Sequence, residues 1–214
     1  MPALQADVSL LSLIADLTKV FVGGILAAGI TLWVSGRRQD QERHRAARHL
    51  AIRLIDIFER YAVESADAIQ SNLNNCRDNP HDYTGIAYLP ELSSLPEDEA
   101  GWRGLEPSHA MQAQTFGSQI QMGRSFVRAV GEHGDADDVE EEVIKQAVLL
   151  GESAWQLASA LRAAYSLPAA NPAYDILAVF SEEEDRLAKN TAARAEASAE
   201  FWAIQMAAED EANQ

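Results

Sequence analysis

The longest apolar stretch of the chain, residues 9–35, limits what the sequence can fold into. It reads SLLSLIADLTKVFVGGILAAGITLWVS, and the 15 residues from Val20 to Val34 carry no charge. A helix needs about 20 mostly apolar residues to cross the ~30 Å hydrocarbon core of a bilayer. The uncharged part alone would be only about 22 Å long. A complete span therefore includes Lys19 and Asp16, and we predict a transmembrane helix over residues 9–35.

Two charged residues near the start of this stretch, Asp16 and Lys19, mark one of its limits. They lie three positions apart on a helix and can form an ion pair, and a lysine near a helix end can extend its ammonium group to the headgroups. We place both charges at one membrane interface and Trp33 at the other, because tryptophan is enriched at that depth. An alternative gives Asp16 a role in an ion or proton path.

The charges that flank the span predict its orientation. No Lys or Arg precedes residue 19, whereas seven arginines follow the span within 25 residues: Arg37, Arg38, Arg43, Arg45, Arg48, Arg53 and Arg60. Cytoplasmic flanks of membrane spans carry an excess of Lys and Arg. We therefore expect residues 1–8 to form a short extracytoplasmic N-terminus. The first five arginines, here called the arginine collar, would contact anionic lipid headgroups on the cytoplasmic side.

Small residues inside the predicted span suggest how it could pack. Gly23 and Ala27 are four positions apart, and so are Gly24 and Ala28. Pairs of this kind let two helices approach closely in lipid, where dispersion then holds them together. The sequence therefore predicts self-association through this face, although Gly and Ala are also common in spans that do not associate.

Residues 9–35 have two other interpretations. A cleaved signal peptide has a basic start and a small-residue cleavage site, whereas this stretch begins with an acidic flank and ends in Trp-Val-Ser-Gly-Arg-Arg. The second alternative is a helix buried in a soluble bundle, which the marginal length of the uncharged part allows. We favour the bilayer span over both.

The rest of the chain predicts an all-α fold, in which the single N-terminal transmembrane helix continues into a cytoplasmic antiparallel helical bundle. Residues 36–76 comprise the arginine collar and the first cytoplasmic helix, and residues 107–214 hold the remaining helices. Apolar residues recur every three or four positions in these parts. Such stripes become buried against antiparallel neighbours, so we expect a bundle of about four helices.

One long loop, residues 77–106, interrupts this pattern. Three prolines and three glycines exclude a long regular element there. Loops of this length are uncommon in compact domains unless they are functional or disordered. The segment is also apolar, so we consider both a strap across the bundle and a docking loop for a partner. The candidate docking residues are Tyr83, Tyr88, Leu89, Leu92, Leu95 and Trp102.

The last helix, predicted from about Pro172 to Ala208, carries polar residues on its apolar stripe. Glu183, Asn190 and Arg194 follow the track that Ile176 begins. Polar groups on a seam can fix its register at a cost in stability. A solvent-exposed end of the bundle is the simpler explanation, and we prefer it.

No residue pattern predicts catalysis, a cofactor or a metal. The sequence Glu106 to His109 is a Glu-x-x-His pair, but it spans the start of a helix at Pro107, and a di-iron bundle needs two such pairs. The single cysteine, Cys76, has no neighbouring histidine and suits a reducing compartment. We therefore predict no enzyme activity and no catalytic, cofactor-binding or metal-binding residues.

The distribution of charge argues against nucleic acid as a partner. The net charge is −16, and from Tyr61 onward 9 lysines and arginines face 27 aspartates and glutamates. A domain this acidic is repelled by phosphate backbones. The arginine collar alone has the opposite sign, and we interpret it as the signal that orients the span.

The layout resembles that of bacterial proteins with one N-terminal span, a basic collar and a cytoplasmic helical bundle, a likeness of architecture without a family motif. We predict a non-enzymatic interaction or assembly protein of the bacterial inner membrane. Its partners would be the lipid bilayer, further copies of itself and an unidentified protein. Two alternatives are an oligomeric membrane effector or channel subunit, assembled around Asp16 and Lys19, and a soluble helical adaptor whose N-terminal helix completes the core.

Overall fold

A computed structural model describes the backbone of residues 3–78, 88–172 and 174–212, and the side chains of residues 33–71, 88–135, 137–172, 174–203 and 205. All regular structure in these ranges is helical, which confirms the all-α bundle. The five helices are α1 (Ala3–Asp78), α2 (Glu99–Gly104), α3 (Pro107–Gly131), α4 (Ala136–Ala164) and α5 (Ile176–Ala212).

Helix α4 is the centre of the bundle and contacts α1, α3 and α5. It runs antiparallel to each of them, because residues later in α4 lie against residues earlier in its neighbours. Two pairs of neighbouring residues show this for each of α1, α3 and α5 in turn: Glu59 with Arg162 and Ser65 with Gly151; Gly123 with Leu150 and Gly131 with Val139; Phe180 with Gly151 and Arg194 with Glu141. Helices α1, α3 and α5 therefore run in one direction and α4 in the other.

This arrangement explains the long connection between α1 and α3. The two helices run in the same direction, so the chain must return along the whole bundle between them, as in bundles with a crossover connection. Residues 88–98, here called the strap, and helix α2 make the described part of that return. The strap begins beside Gly123 in the middle of α3, and α2 ends beside Arg43 on α1. The predicted loop thus contains a short helix.

The core is built on the predicted stripes. Side chains of α1, α3, α4 and α5 that recur at three- and four-residue spacing are buried, among them Leu54, Phe58, Ile120, Leu161 and Phe180. At its centre the ring of Phe116 meets the rings of Phe58 and Tyr61 edge-on, each at a centroid distance of 5.3 Å. Edge-to-face contacts of this kind add to the free energy gained by burial.

Two glycines permit the closest helix contacts. A β-carbon on Gly104 would lie 2.6 Å from the backbone oxygen of Arg43, so α2 can touch α1 only with glycine there. A β-carbon on Gly151 would lie 2.5 Å from Cζ of Phe180, which occupies that space instead. Any larger residue at either position would push the helices apart.

Polar groups hold the connection between α4 and α5. Arg162 donates from Nε and Nη2 to the two carboxylate oxygens of Glu59 on α1, at 2.6 and 2.9 Å, and from Nη1 to the backbone oxygen of Pro168 at 2.7 Å. The Tyr174 hydroxyl donates to Asp67 on α1 at 2.8 Å. Paired forks between arginine and carboxylate are strong and directional. The Arg162–Glu59 and Tyr174–Asp67 contacts together fix both ends of the α4–α5 connection to α1.

Aspartate side chains cap the starts of α4 and α5. Asp135 caps α4, since its side chain accepts from the backbone N–H of Asp138 at 3.0 Å while Asp138 caps it in return. Helix α5 begins at Ile176, four residues later than the predicted start at Pro172. Asp175 accepts from the backbone N–H of Ala178 at 3.1 Å, and this bond starts the helix after the Tyr174 contact.

Candidate functional site

The two ends of the bundle each carry a helix that extends beyond it. On α1, Ala47 is the first residue in the described ranges that is fully buried, and residues 37–45 are all exposed. Helix α1 therefore leaves the bundle near the arginine collar. It continues as a helix towards Ala3, a length of about 60 Å.

The arginine collar spans the point where α1 leaves the bundle: Arg37 and Arg38 precede it, whereas Arg43 lies beside Gly104 of α2 and Arg48 follows the buried Ala47. Within the part of the chain whose side chains are described, none of its five guanidinium groups lies within 4 Å of a carboxylate, whereas Arg60 pairs with Asp56 at 2.9 Å. Trp33 is 62% exposed, and the guanidinium carbon of Arg37 lies 4.7 Å from the centre of its ring. A tryptophan next to a row of unpaired arginines suits the boundary between lipid and water.

The predicted span precedes this part of α1. Its side chains up to residue 32 lie outside the described residues, including the interface charges Asp16 and Lys19 and the small residues Gly23, Gly24, Ala27 and Ala28. Across the residues that were placed, no helix has the length together with the apolar character that crossing a bilayer requires.

The opposite end carries the free part of α5. Arg194 reaches back to the first turns of α4, where it lies 2.8 Å from Glu141 and 3.6 Å from Asp138. From residue 191 onward every described side chain is exposed, including Phe201 and Trp202 at 62% and 59%. Their rings touch edge-on at 5.9 Å. Exposed aromatic pairs on a helix without neighbours are typical of an interaction surface.

The structure contradicts the solvent-exposed explanation for Glu183, the first polar residue on the α5 stripe. Glu183 is 3% exposed, and it accepts hydrogen bonds from Arg186 one turn along the same helix. That carboxylate raises the pKa of the Arg186 guanidinium. Arg194 forms ion pairs with α4. Arg194 thus connects α5 to the start of α4, while the stripe continues past that point to Ala197 and Phe201.

The candidate docking residues of the loop fall into two groups. Leu89 is buried, and Leu92, Leu95 and Trp102 are half-buried against the core, with Trp102 donating from its ring N–H to the Pro96 backbone oxygen at 2.9 Å. Tyr88 is 85% exposed, and Tyr83 lies outside the described residues. The described part of the loop is therefore a strap that contributes to the core.

A groove opens beside the start of the strap. It has a volume of about 670 Å³ and lies between the strap, the second half of α3 and the start of α4. The residues that line it are Tyr88, Leu89, Pro90, Glu91, Arg124, Val127, Val139 and Val143. The sequence did not indicate this groove, because residues from three separate segments form it. The only local signal is an arginine within an otherwise apolar stripe on α3.

Two buried polar atoms lack a hydrogen-bond partner among the described groups, the hydroxyl of Tyr61 and Nδ1 of His109. Burial raises the pKa of the Tyr61 phenol well above its usual range. Nδ1 of His109 lies 3.3 Å from a carboxylate oxygen of Glu106, but the two groups are poorly aligned for a hydrogen bond. No three His, Cys, Asp or Glu residues with described positions are arranged to hold a metal ion.

Comparisons with known proteins do not place the chain in a family. No family model matches it, and no significant match was found among the curated proteins or the solved structures.

Proposed function

We propose that this protein is a membrane-anchored assembly module of the bacterial inner membrane, without catalytic activity, whose helical bundle lies in the cytoplasm. The observation that carries the proposal is the arginine collar, five exposed guanidinium groups with no described carboxylate partner at the end of the bundle from which α1 extends. The uncharged residues Val20 to Val34 precede it, with only Ser35 and Gly36 in between.

The charge distribution supports this arrangement. Each arginine near an anionic membrane surface contributes about 1 kcal/mol, so the five together give an attraction of about 5 kcal/mol. The bundle itself is strongly acidic. Its acidic residues outnumber the five arginines of the collar, yet none of those with described side chains pairs with them. Such separation of charge draws the collar to the membrane and keeps the bundle away from it.

The free part of α5 supports self-association. Its stripe continues beyond the start of α4 to Ala197 and Phe201, which have no neighbour from another element in the described chain. Most helical stability in proteins comes from packing against a neighbour, so a partner would stabilise this part of α5. Copies anchored in one membrane share their orientation. Their α5 ends would therefore meet at the same height above the membrane, and a second copy is the partner that we propose.

Two measurements test the anchor. Alkaline carbonate washing of membranes should leave the protein in the pellet. A tag placed after Gln214 should be protected from protease in intact cells and cleaved only after lysis. Release by carbonate would instead favour the soluble helical adaptor, and a tag that is cleaved in intact cells would refute the proposed orientation.

The channel alternative predicts a different result. If the spans assembled around Asp16 and Lys19 to form a path for ions, overexpression would cause ion leakage, and Asp16→Asn would abolish it. An assembly module causes no leakage in either case.

A further inference from the structure

The groove beside the strap is apolar on most of its surface and has one cation in its wall. Val143 and Leu89 are buried, while Val127 and Val139 are half-buried and form the open side. Its volume of about 670 Å³ lies within the range of small-molecule sites in proteins. It lies near the start of α4, at the opposite end of the bundle from the arginine collar.

Arg124 is the cation of this groove. The residue is half-buried on α3, and its only described hydrogen bond runs from Nη2 to the backbone oxygen of Pro90 at 3.3 Å. No described carboxylate lies within 4 Å of it, in contrast to Arg162 and Arg186, which are both paired. A guanidinium that is partly withdrawn from water is normally compensated by an anion. Because Arg124 has only one described hydrogen bond, most of its five N–H donors are left for a ligand.

Glu91 limits which anion fits. Its side chain also lines the groove, yet it is exposed and is not within ion-pair distance of Arg124. A ligand with two negative charges would be repelled by this carboxylate at short range. A single carboxylate can instead accept two parallel hydrogen bonds from the fork of Arg124.

We propose that the groove binds an amphipathic carboxylate, with the head on Arg124 and the alkyl chain along Val127, Val139 and Val143. The charge of Arg124 selects the head, and the valine wall takes up the apolar chain. The site goes beyond the assembly function and does not depend on the membrane anchor.

Octanoate is the probe, measured by isothermal titration calorimetry of the full chain in lipid nanodiscs, with the signal of empty nanodiscs subtracted. Arg124→Gln should weaken binding at least tenfold, because a hydrogen-bonded charge is lost. Glu91→Gln should tighten binding by about twofold to threefold. The matched control is Arg128→Gln, one turn further along α3 at an exposed position outside the groove, which should leave binding unchanged.

Two further ligands test the two parts of the site. Octanol has the same chain without the charge, and it should bind at least tenfold more weakly than octanoate. Within the series hexanoate, octanoate and decanoate, each added CH₂ group should lower Kd by a factor of about four. Val127→Phe should fill the groove and abolish this dependence, and a melting curve will show whether that variant is folded.

The outcomes separate clearly. Opposite effects of Arg124→Gln and Glu91→Gln, with Arg128→Gln unchanged, support the site. Absence of octanoate binding at millimolar concentration would overturn the proposal. Equal binding of octanoate and octanol, or equal losses in Arg124→Gln and Arg128→Gln, would overturn it as well.

Discussion

The two free helix ends differ in what their surfaces lack. At the arginine collar the guanidinium groups lack carboxylate partners within the described part of the chain, whereas at the end of α5 the aromatic rings of Phe201 and Trp202 lack apolar neighbours. Both parts leave the bundle as exposed helix, yet the first calls for an anionic surface and the second for an apolar helix. The kind of partner is therefore indicated by the chemistry of the exposed groups and not by their exposure alone.

The largest effect should follow from reversing the charge of the collar. Replacing Arg37, Arg38, Arg43, Arg45 and Arg48 by Glu changes an attraction of about 5 kcal/mol into a repulsion. We expect most of the inserted molecules, those that remain in the pellet after carbonate washing, to take the opposite orientation. Protease protection of a C-terminal tag in intact cells measures this directly.

The matched control keeps the charge of the collar. Replacing the same five residues by Lys should preserve protection of the tag, since the orienting effect depends on positive charge rather than on the guanidinium. If the Glu variant kept the wild-type orientation, the collar would not orient the protein, and the contrast between the two ends would fail.

The second prediction concerns Phe201. Phe201→Ala should weaken self-association by about 2 kcal/mol, or ~30-fold, because an aromatic residue at the centre of a helix interface is a typical hot spot. Trp202→Ala should cost less, because Trp202 is one position off the stripe. Sedimentation equilibrium in mild detergent gives both dimerisation constants.

Dimerisation through the apolar end of α5 should depend little on salt, in contrast to contacts made by the arginine collar. Between 0.05 and 0.5 M NaCl, dimerisation through α5 should change by less than twofold, since screening affects exposed charges and not apolar contacts. A wild-type protein that is monomeric at all concentrations, or a dimer that dissociates in salt, would refute the apolar interface.

A smaller effect is expected at Arg194, which connects α5 to the start of α4. Arg194→Ala should lower the free energy of unfolding by only about 0.5 kcal/mol, because more than half of the Arg194 side chain is exposed to water. Amide hydrogen exchange should increase around residues 187–194 and not in α1. Arg128→Ala, which removes an exposed arginine without a described ion pair, is the control and should have no effect.

Much of the fold follows from residue spacing. The stripes predicted on α3 and α4 are buried, as Phe116, Ile120, Leu150 and Leu161 show. These positions are local, because three- and four-residue spacing alone decides which face of a helix is apolar.

Features that join distant segments could not be predicted in this way. Glu59 and Arg162 are 103 residues apart, and nothing in either local sequence indicates their pairing. In the sequence, Gly101 and Gly104 indicate only an interruption of the helical pattern. They instead let α2 approach α1. The groove around Arg124 was missed for the same reason, because its walls come from the strap, α3 and α4.

The smallest effect should appear at the base of α5 in alkaline solution. Burial, helped by the nearby Asp67 carboxylate, raises the pKa of Tyr174 to about 12. The folded protein therefore keeps the phenol proton above pH 10, where the unfolded chain releases it. The stabilisation from this group is complete below pH 10 and is lost as the pH rises towards 12.

Tyr174→Phe removes this contribution, so the difference in unfolding free energy between wild type and variant should shrink over that interval. The strongly shifted Tyr61 is present in both proteins and cancels in the comparison. A difference that stays constant from pH 9 to 12 would mean that the bond from Tyr174 to Asp67 does not hold the start of α5, which would then be held by the buried Ile176 and Phe180.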